Sequence, residues 1–233
     1  MSTKLNLLFV RHGEDNANDF SDAYQRSLKS DLVAGEKDSG RTGRFLLENK
    51  KNGNIPNLNF LIAFGEQKPR IKSTRNKIEQ ELRDSYSGLP LVDIDTSSIP
   101  SPYDMGMLAA RMGDDRYDQE DVVTKMKARV NSIRGDIIEK INTDIISRYT
   151  TEDNTVSCVV VADGIEIGYV ANDFASSPEE KAKIKPDLGF CSITIVSITD
   201  KDEKKLIEYD FNGNSFDSKT IESMRDLNNT ILA

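Results

Sequence analysis

The sequence predicts an α/β fold: a three-layer sandwich with a mainly parallel mixed sheet and helices on both faces. Three observations predict it. Short continuous apolar runs at Asn6–Val10, Leu58–Phe64 and Val156–Ala162 have the character of strands buried on both faces. Helix-compatible stretches alternate with strand patterns along most of the chain. The 233 residues, 37% hydrophobic and 30% charged, suffice for one sizeable core, and no linker divides them. A single domain over residues 1–233 is therefore expected.

Each element has its own local cause. Asn6–Val10 is apolar and ends in Arg11-His12-Gly13, so it reads as a buried strand running into a turn. Asp15–Ser30 is polar and helix-compatible, and Gly35–Asn49 holds a second helix candidate closing on Phe45-Leu46-Leu47. Lys50–Asn57, with Gly53 and Pro56, is rich in turn residues. Leu58–Phe64 is the second strand. Pro69 suits the first turn of a helix, where its missing N–H is not needed, and Ile71, Ile78 and Leu82 carry that helix to about Arg83. The stretch 85–118 is irregular, broken by Gly88, Pro90, Pro100, Pro102, Gly106 and Gly113; a loop of that length in a compact domain usually serves function. Val122, Met126, Val130, Ile133, Ile137, Ile141 and Ile145 recur at helical steps and predict a helix over Glu120–Tyr149. Val156–Ala162 is uninterrupted and so reads as a central strand. Ser192–Ile198 and Lys204–Tyr209 follow as two more strands joined by the turn-like Thr199–Glu203.

Composition narrows the function classes. A net charge of −8 favours solubility and speaks against a broad nucleic-acid surface. The two cysteines, Cys158 and Cys191, lie in apolar runs without CxxC spacing, as reduced core residues do. Neither a metal nor a cofactor is expected from them. The N-terminal apolar run is too short for a signal segment or a bilayer span, so a cytoplasmic protein without a membrane partner is expected. Oligomeric state has no signature in these residues.

In an open α/β sheet, ligands gather beyond the carboxyl ends of the strands. Three segments matter there. The first strand delivers Arg11-His12-Gly13-Glu14, the second leads to Arg70, and the third delivers Ala162-Asp163-Gly164. His12 is the chain's single histidine. Arg11 offers a planar fork suited to phosphate oxygens. Gly13 permits close approach of the backbone to a ligand. Asn18, six residues after His12, offers a further donor.

The segment LLFVRHGEDNAN resembles the opening signature of the histidine phosphatases and cofactor-dependent phosphoglycerate mutases: Arg11, His12, Gly13, Glu14 and Asn18 stand where that pattern has them. Gly35–Leu46 is similar to the family's next element, a glycine followed by a helix. Arg70-Ile71-Lys72-Ser73-Thr74 matches the family's second arginine in Arg-x-x-x-Thr, although Gly65-Glu66 stands where a Ser-Ser pair is usual. VVVADG and FCSITIVSI resemble its late strands. The resemblance implies a phosphoglycerate mutase-like fold and a phosphomonoester hydrolase. In it His12 becomes phosphohistidine, and Arg11, Asn18 and Arg70 bind the phosphoryl group. It implies a small phosphorylated substrate or a phosphoprotein as partner. A mutase is the less expected activity.

Two positions depart from the pattern. Where the family has a second histidine before a glycine, this chain has Asp163-Gly164. An ionised Asp163 repels phosphoryl oxygens by roughly 4 kcal/mol at about 4 Å and an effective dielectric near 20, some three powers of ten in rate. Three arrangements relieve this: a protonated Asp163 that donates, an Asp163 turned to pair with an arginine, or a metal bridging it to phosphate. Asp163 also suits the N-cap of a helix. The family's proton donor, a carboxylic acid after the second-arginine helix, has no clear counterpart. Asp84, Asp93, Asp95 and Asp104 lie in that connection, and Tyr103-Asp104-Met105-Gly106 is the closest in context, with Glu14 a further candidate. His12, Asp104 and Asp163 are thus the candidate catalytic residues. The alternative to an enzyme is a pseudophosphatase that binds a phosphorylated ligand or a protein partner.

Overall fold

The computed structural model describes residues 4–16, 19, 29, 31–33, 35–56, 58–63, 68–83, 111, 114–125, 127–128, 155–184, 188–199, 203–212 and 216–225. Five strands form one mixed sheet: β1 (Lys4–Arg11), β2 (Leu58–Ala63), β3 (Thr155–Ala162), β4 (Ile193–Thr199) and β5 (Lys204–Phe211). Their spatial order is β2-β3-β1-β4-β5. The β2-β3-β1 half is parallel, and β4 and β5 complete the sheet antiparallel. Helices α1 (Gly35–Lys51), α2 (Pro69–Arg83), α3 (Gly164–Phe174), α4 (Pro178–Lys183) and α5 (Ser218–Arg225) accompany the sheet.

Strand alternation sorts the core into two layers. Leu5, Leu7, Phe9, Val156, Cys158 and Val160 face one side and pack with Ile167, Val170 and Phe174 of α3. Leu8, Val10, Val159 and Val161 face the other and pack with Leu46 of α1, Ile71, Ile78 and Leu82 of α2, and Met224 of α5. Successive side chains of a strand point to opposite faces, so uninterrupted apolar runs in β1 and β3 require helices on both sides. The predicted three layers are present. Helix α1 lies so close to α2 that a Cβ at Gly43 would come within 2.8 Å of the Glu81 Cβ, a distance only glycine accommodates.

Several boundaries differ slightly from expectation. Helix α2 spans Pro69–Arg83, as Pro69 and the Ile71-Ile78-Leu82 spacing predict. Strand β1 begins at Lys4, before the apolar run. The buried Lys4 ammonium donates to the carbonyls of Ser223 (2.5 Å) and Met224 (2.8 Å), at the negative end of α5. Asn6 adds a third bond, its amide donating to Met224 at 3.2 Å. The Lys4 ammonium and the Asn6 amide N–H are accommodated in the strand because the carbonyls of a helix terminus accept from them. Strand β4 begins at Ile193, after a turn in which Cys191 takes φ 57°. Cys158 and Cys191 are both free and buried, and burial pushes the Cys191 thiol up to about 11. Residues 119–125 are helical, with Val122 buried. The remainder of the helix predicted over Glu120–Tyr149, most of the 15–30 stretch and most of the 85–118 loop lie outside the described residues. No helix among the described residues is long and apolar enough to cross a membrane.

Candidate functional site

The register of the parallel strands creates the site. Arg11 pairs with Ala162 at the ends of β1 and β3, so the next residues, His12 and Asp163, emerge side by side. The His12 N–H donates to the Ala162 carbonyl at 3.1 Å, carrying the ladder one step past the strand. His12 is buried, and its Nδ1 lies 2.8 Å from the Gly13 carbonyl. A carbonyl only accepts, so Nδ1 carries a proton and the ring's chemistry is left to Nε2.

Helix α2 delivers the second half of the site and is tied to the His12 turn. The Thr74 hydroxyl donates to the Arg70 carbonyl at 2.8 Å and accepts from the Gly13 N–H at 2.9 Å. One buried hydroxyl therefore fixes both the first turn of α2 and the glycine next to the imidazole, which gives the Arg-x-x-x-Thr spacing a physical reason. Arg70 is buried and reaches Asp163 Oδ1 through a terminal nitrogen at 2.8 Å and through Nε at 3.2 Å. Its Nε also lies 3.3 Å from Asp15 Oδ2. Lys68, two residues earlier and likewise buried, donates to Asp163 Oδ2. His12 Nε2 stands 3.3 Å from the same Oδ1 that Arg70 holds.

Asp163 is thus the hub. Burial alone would raise its pKa, but the Lys68 ammonium, the hydrogen bond from His12 and the Arg70 guanidinium outweigh it. Together they hold its carboxyl well below the usual carboxylate range. Asp163 pairs with an arginine but does not turn away from the site: the Oδ1 that Arg70 holds stays 3.3 Å from His12 Nε2. Asp163 also occupies the N-cap position of α3, and the Glu166 carboxylate accepts from its backbone N–H at 3.4 Å.

Arg11 is held differently. Its guanidinium donates to the Leu188 carbonyl and lies 4.1 Å above the Phe190 ring. That ring is 5.8 Å from the His12 imidazole, so Phe190 links Arg11 to the histidine. Gly164 leaves the space for this: a Cβ there would come within 3.2 Å of Arg11 Cδ and Nε.

His12, Arg70 and Asp163 are therefore brought together, with Arg11 one aromatic ring away. Asn18 and Asp104 lie outside the described residues, as do Asp84, Asp93 and Asp95. Glu14, the other carboxylate weighed as a proton donor, is exposed. Three contributors were not singled out from the sequence: Lys68, Asp15 and Phe190. Lys68 and Arg70 flank the proline that opens α2, and Asp15 follows His12 by three residues; those spacings are the signals available.

No family model and no curated protein sequence matches the chain. Solved structures do match it. The phosphoglycerate mutase of Bacillus anthracis superposes with TM-score 0.57 at 16% identity, over 97% of this chain and 98% of that one. A mycobacterial glucosyl-3-phosphoglycerate phosphatase, solved with VO3, matches with TM-score 0.55 at 15% identity, over 89% and 99%. A protein described as mycobacterial hydrolase 2 matches with TM-score 0.55 at 16% identity, over 96% and 97%. The chain has the phosphoglycerate mutase-like α/β fold.

Proposed function

We propose that the chain is a histidine phosphatase that hydrolyses phosphomonoesters through a phosphohistidine at His12, at a rate held down by Asp163. One observation carries this reading. The single histidine stands buried at the end of β1 with Nδ1 engaged by Gly13, and its Nε2 is aimed at the group that Arg70 binds. A nucleophile, a guanidinium and a turn at strand ends are the parts that phosphoryl transfer to nitrogen needs. The likeness to a phosphatase solved with VO3 supports the same chemistry.

In the first step the Nε2 lone pair forms a bond to phosphorus and the ester P–O bond breaks. The leaving oxygen takes a proton from a carboxylic acid, for which Asp104 is the candidate. Water then attacks phosphorus, giving a proton to the carboxylate left by the first step, and the P–Nε2 bond breaks to release inorganic phosphate and the free imidazole. Arg70, Arg11 and Asn18 are the proposed partners of the phosphoryl oxygens. The substrate class is a small phosphorylated metabolite or a phosphoprotein.

The test is turnover of p-nitrophenyl phosphate and a panel of phosphometabolites by the wild type beside His12→Ala. Turnover that falls to background in His12→Ala supports the reading, whereas unchanged turnover sinks it. Asp104→Asn refines the assignment. It is expected to slow alkyl phosphates by about a hundredfold and p-nitrophenyl phosphate far less, because p-nitrophenolate leaves without a proton. Equal effects on both would remove Asp104 from the role.

A second reading, a phosphate-binding pseudophosphatase, draws on the 3.3 Å between Nε2 and Asp163 Oδ1. With both ring nitrogens facing acceptors, Nε2 donates in this arrangement and does not attack. Vanadate or phosphate binding without turnover in any variant favours that reading.

A further inference from the structure

Among the groups that converge on Asp163 is a cation that the phosphatase resemblance does not supply. Lys68 is buried, its side chain only 6% exposed, and its ammonium meets Oδ2, while Arg70 and His12 meet Oδ1. Two carboxylate oxygens thereby take up donors from two separate segments, the β1 turn and the start of α2. A phosphoryl group seated against His12 Nε2 would present its oxygens to Lys68 and Arg70. A buried ammonium is retained only where an anion faces it. Asp163 is that anion, and it also stands where the family pattern has its second histidine.

We propose that Lys68 is a phosphoryl-binding residue of this site, and that the Asp163 carboxylate is a resident anion which an incoming phosphate displaces from Lys68 and Arg70. The proposal rests on the phosphate-site reading above and deepens it. The start of α2 supplies, through Lys68, the positive charge lost with the second histidine. Asp163 keeps that charge neutralised and aligned until a stronger anion arrives. Phosphate carries more charge and more acceptor oxygens than a carboxylate, so it can win the exchange, but it binds more weakly than it would to the same cations without a competitor.

The test is isothermal titration of the wild type, Asp163→Asn, Lys68→Met/Asp163→Asn and Lys68→Arg/Asp163→Asn with inorganic phosphate and with orthovanadate. Asp163→Asn is expected to bind roughly tenfold more tightly or better, since an internal competitor is gone. Adding Lys68→Met is expected to weaken binding by about tenfold or more, and Lys68→Arg to retain most of it. Thermal unfolding by circular dichroism confirms that each variant is folded; Lys68→Gln and Asp163→Ser replace any that is not. Phosphate bound equally well with and without the Lys68 ammonium would overturn the role of Lys68. Weaker binding by Asp163→Asn than by the wild type would overturn displacement and make Asp163 a positioning residue. If the wild type hydrolyses p-nitrophenyl phosphate and either result appears, this inference alone fails. If no protein binds either anion and none turns over substrate, the phosphatase reading fails and takes this inference with it.

Discussion

Asp163→His is expected to raise turnover of p-nitrophenyl phosphate by about a hundred- to a thousandfold. The substitution acts at the residue that touches both the nucleophile and the principal cation. It removes a carboxylate held 3.3 Å from His12 Nε2, and so releases that nitrogen from donating to an acceptor. It also removes a charge that repels the oxygens on which negative charge grows in the transition state. Arg70 and Lys68 then face the phosphoryl group instead of Asp163. The gain carries a stability cost. Removing one partner of a buried ionic cluster typically destabilises by about 3–5 kcal/mol, because the remaining charges lose their counterion. The Asp163→His protein should therefore melt lower by roughly 10 °C and regain much of the loss in saturating phosphate, which replaces the anion. Steady-state kinetics and thermal melts with and without phosphate read both effects. Turnover unchanged from the wild type would show that Asp163 is not what restrains the site. The acid limb of stability carries a related signature. The Asp163 carboxyl is held well below its usual range in the folded protein, so its contribution is complete above about pH 4. It is lost as pH falls through the lowered folded value, and Asp163→Asn should flatten that limb.

What could be foreseen from the sequence depended on whether a residue's role is local. The VSCVVVA run had one reading because no charged residue, proline or glycine interrupts it and Ser157 is its one polar member, and it forms most of the fully buried β3. Pro69 marked a helix start because its geometry suits that position alone among nearby ones. The Arg-His-Gly turn is a local motif as well, and it lies at the end of β1 as expected. Lys4 was not legible as strand interior. A lysine belongs inside only when a distant group receives it, and here that group is the end of α5, more than two hundred residues along the chain. Lys68 was missed for the same reason. Beside a proline and after a short polar stretch, a lysine looks solvated; only the approach of Asp163 from β3 makes it a buried partner. Phe190 looked like the start of an apolar strand, yet the turn at Cys191 leaves its ring under Arg11. The replacement of the second histidine was visible at once. Its consequence, a carboxylate that gathers the site's cations, needed the geometry.

Arg70→Ala should be the most damaging single substitution in the site. The guanidinium serves two carboxylates: it holds Asp163 Oδ1 at 2.8 Å and approaches Asp15 Oδ2 at 3.3 Å. Both side chains are buried, Asp163 at 9% exposure and Asp15 at 8%, so water cannot take over the lost interactions. A loss of about 3–5 kcal/mol in stability is expected. Phosphate affinity should fall by at least about a hundredfold, because the fork that would grip the phosphoryl oxygens is gone while both acidic groups remain. Arg70→Lys keeps the charge but not the planar fork, and so should recover only part of either loss. The physical content lies in the coupling. If Arg70 is buried chiefly to serve Asp163, then Arg70→Ala in the Asp163→Asn background should cost clearly less stability than in the wild type. The difference around the cycle should exceed about 1 kcal/mol. Additive losses would show that Arg70 is held by its other contacts, with Asp15 foremost among them. The pairing with Asp163 would then be a consequence of where α2 begins and not the reason Arg70 is buried there.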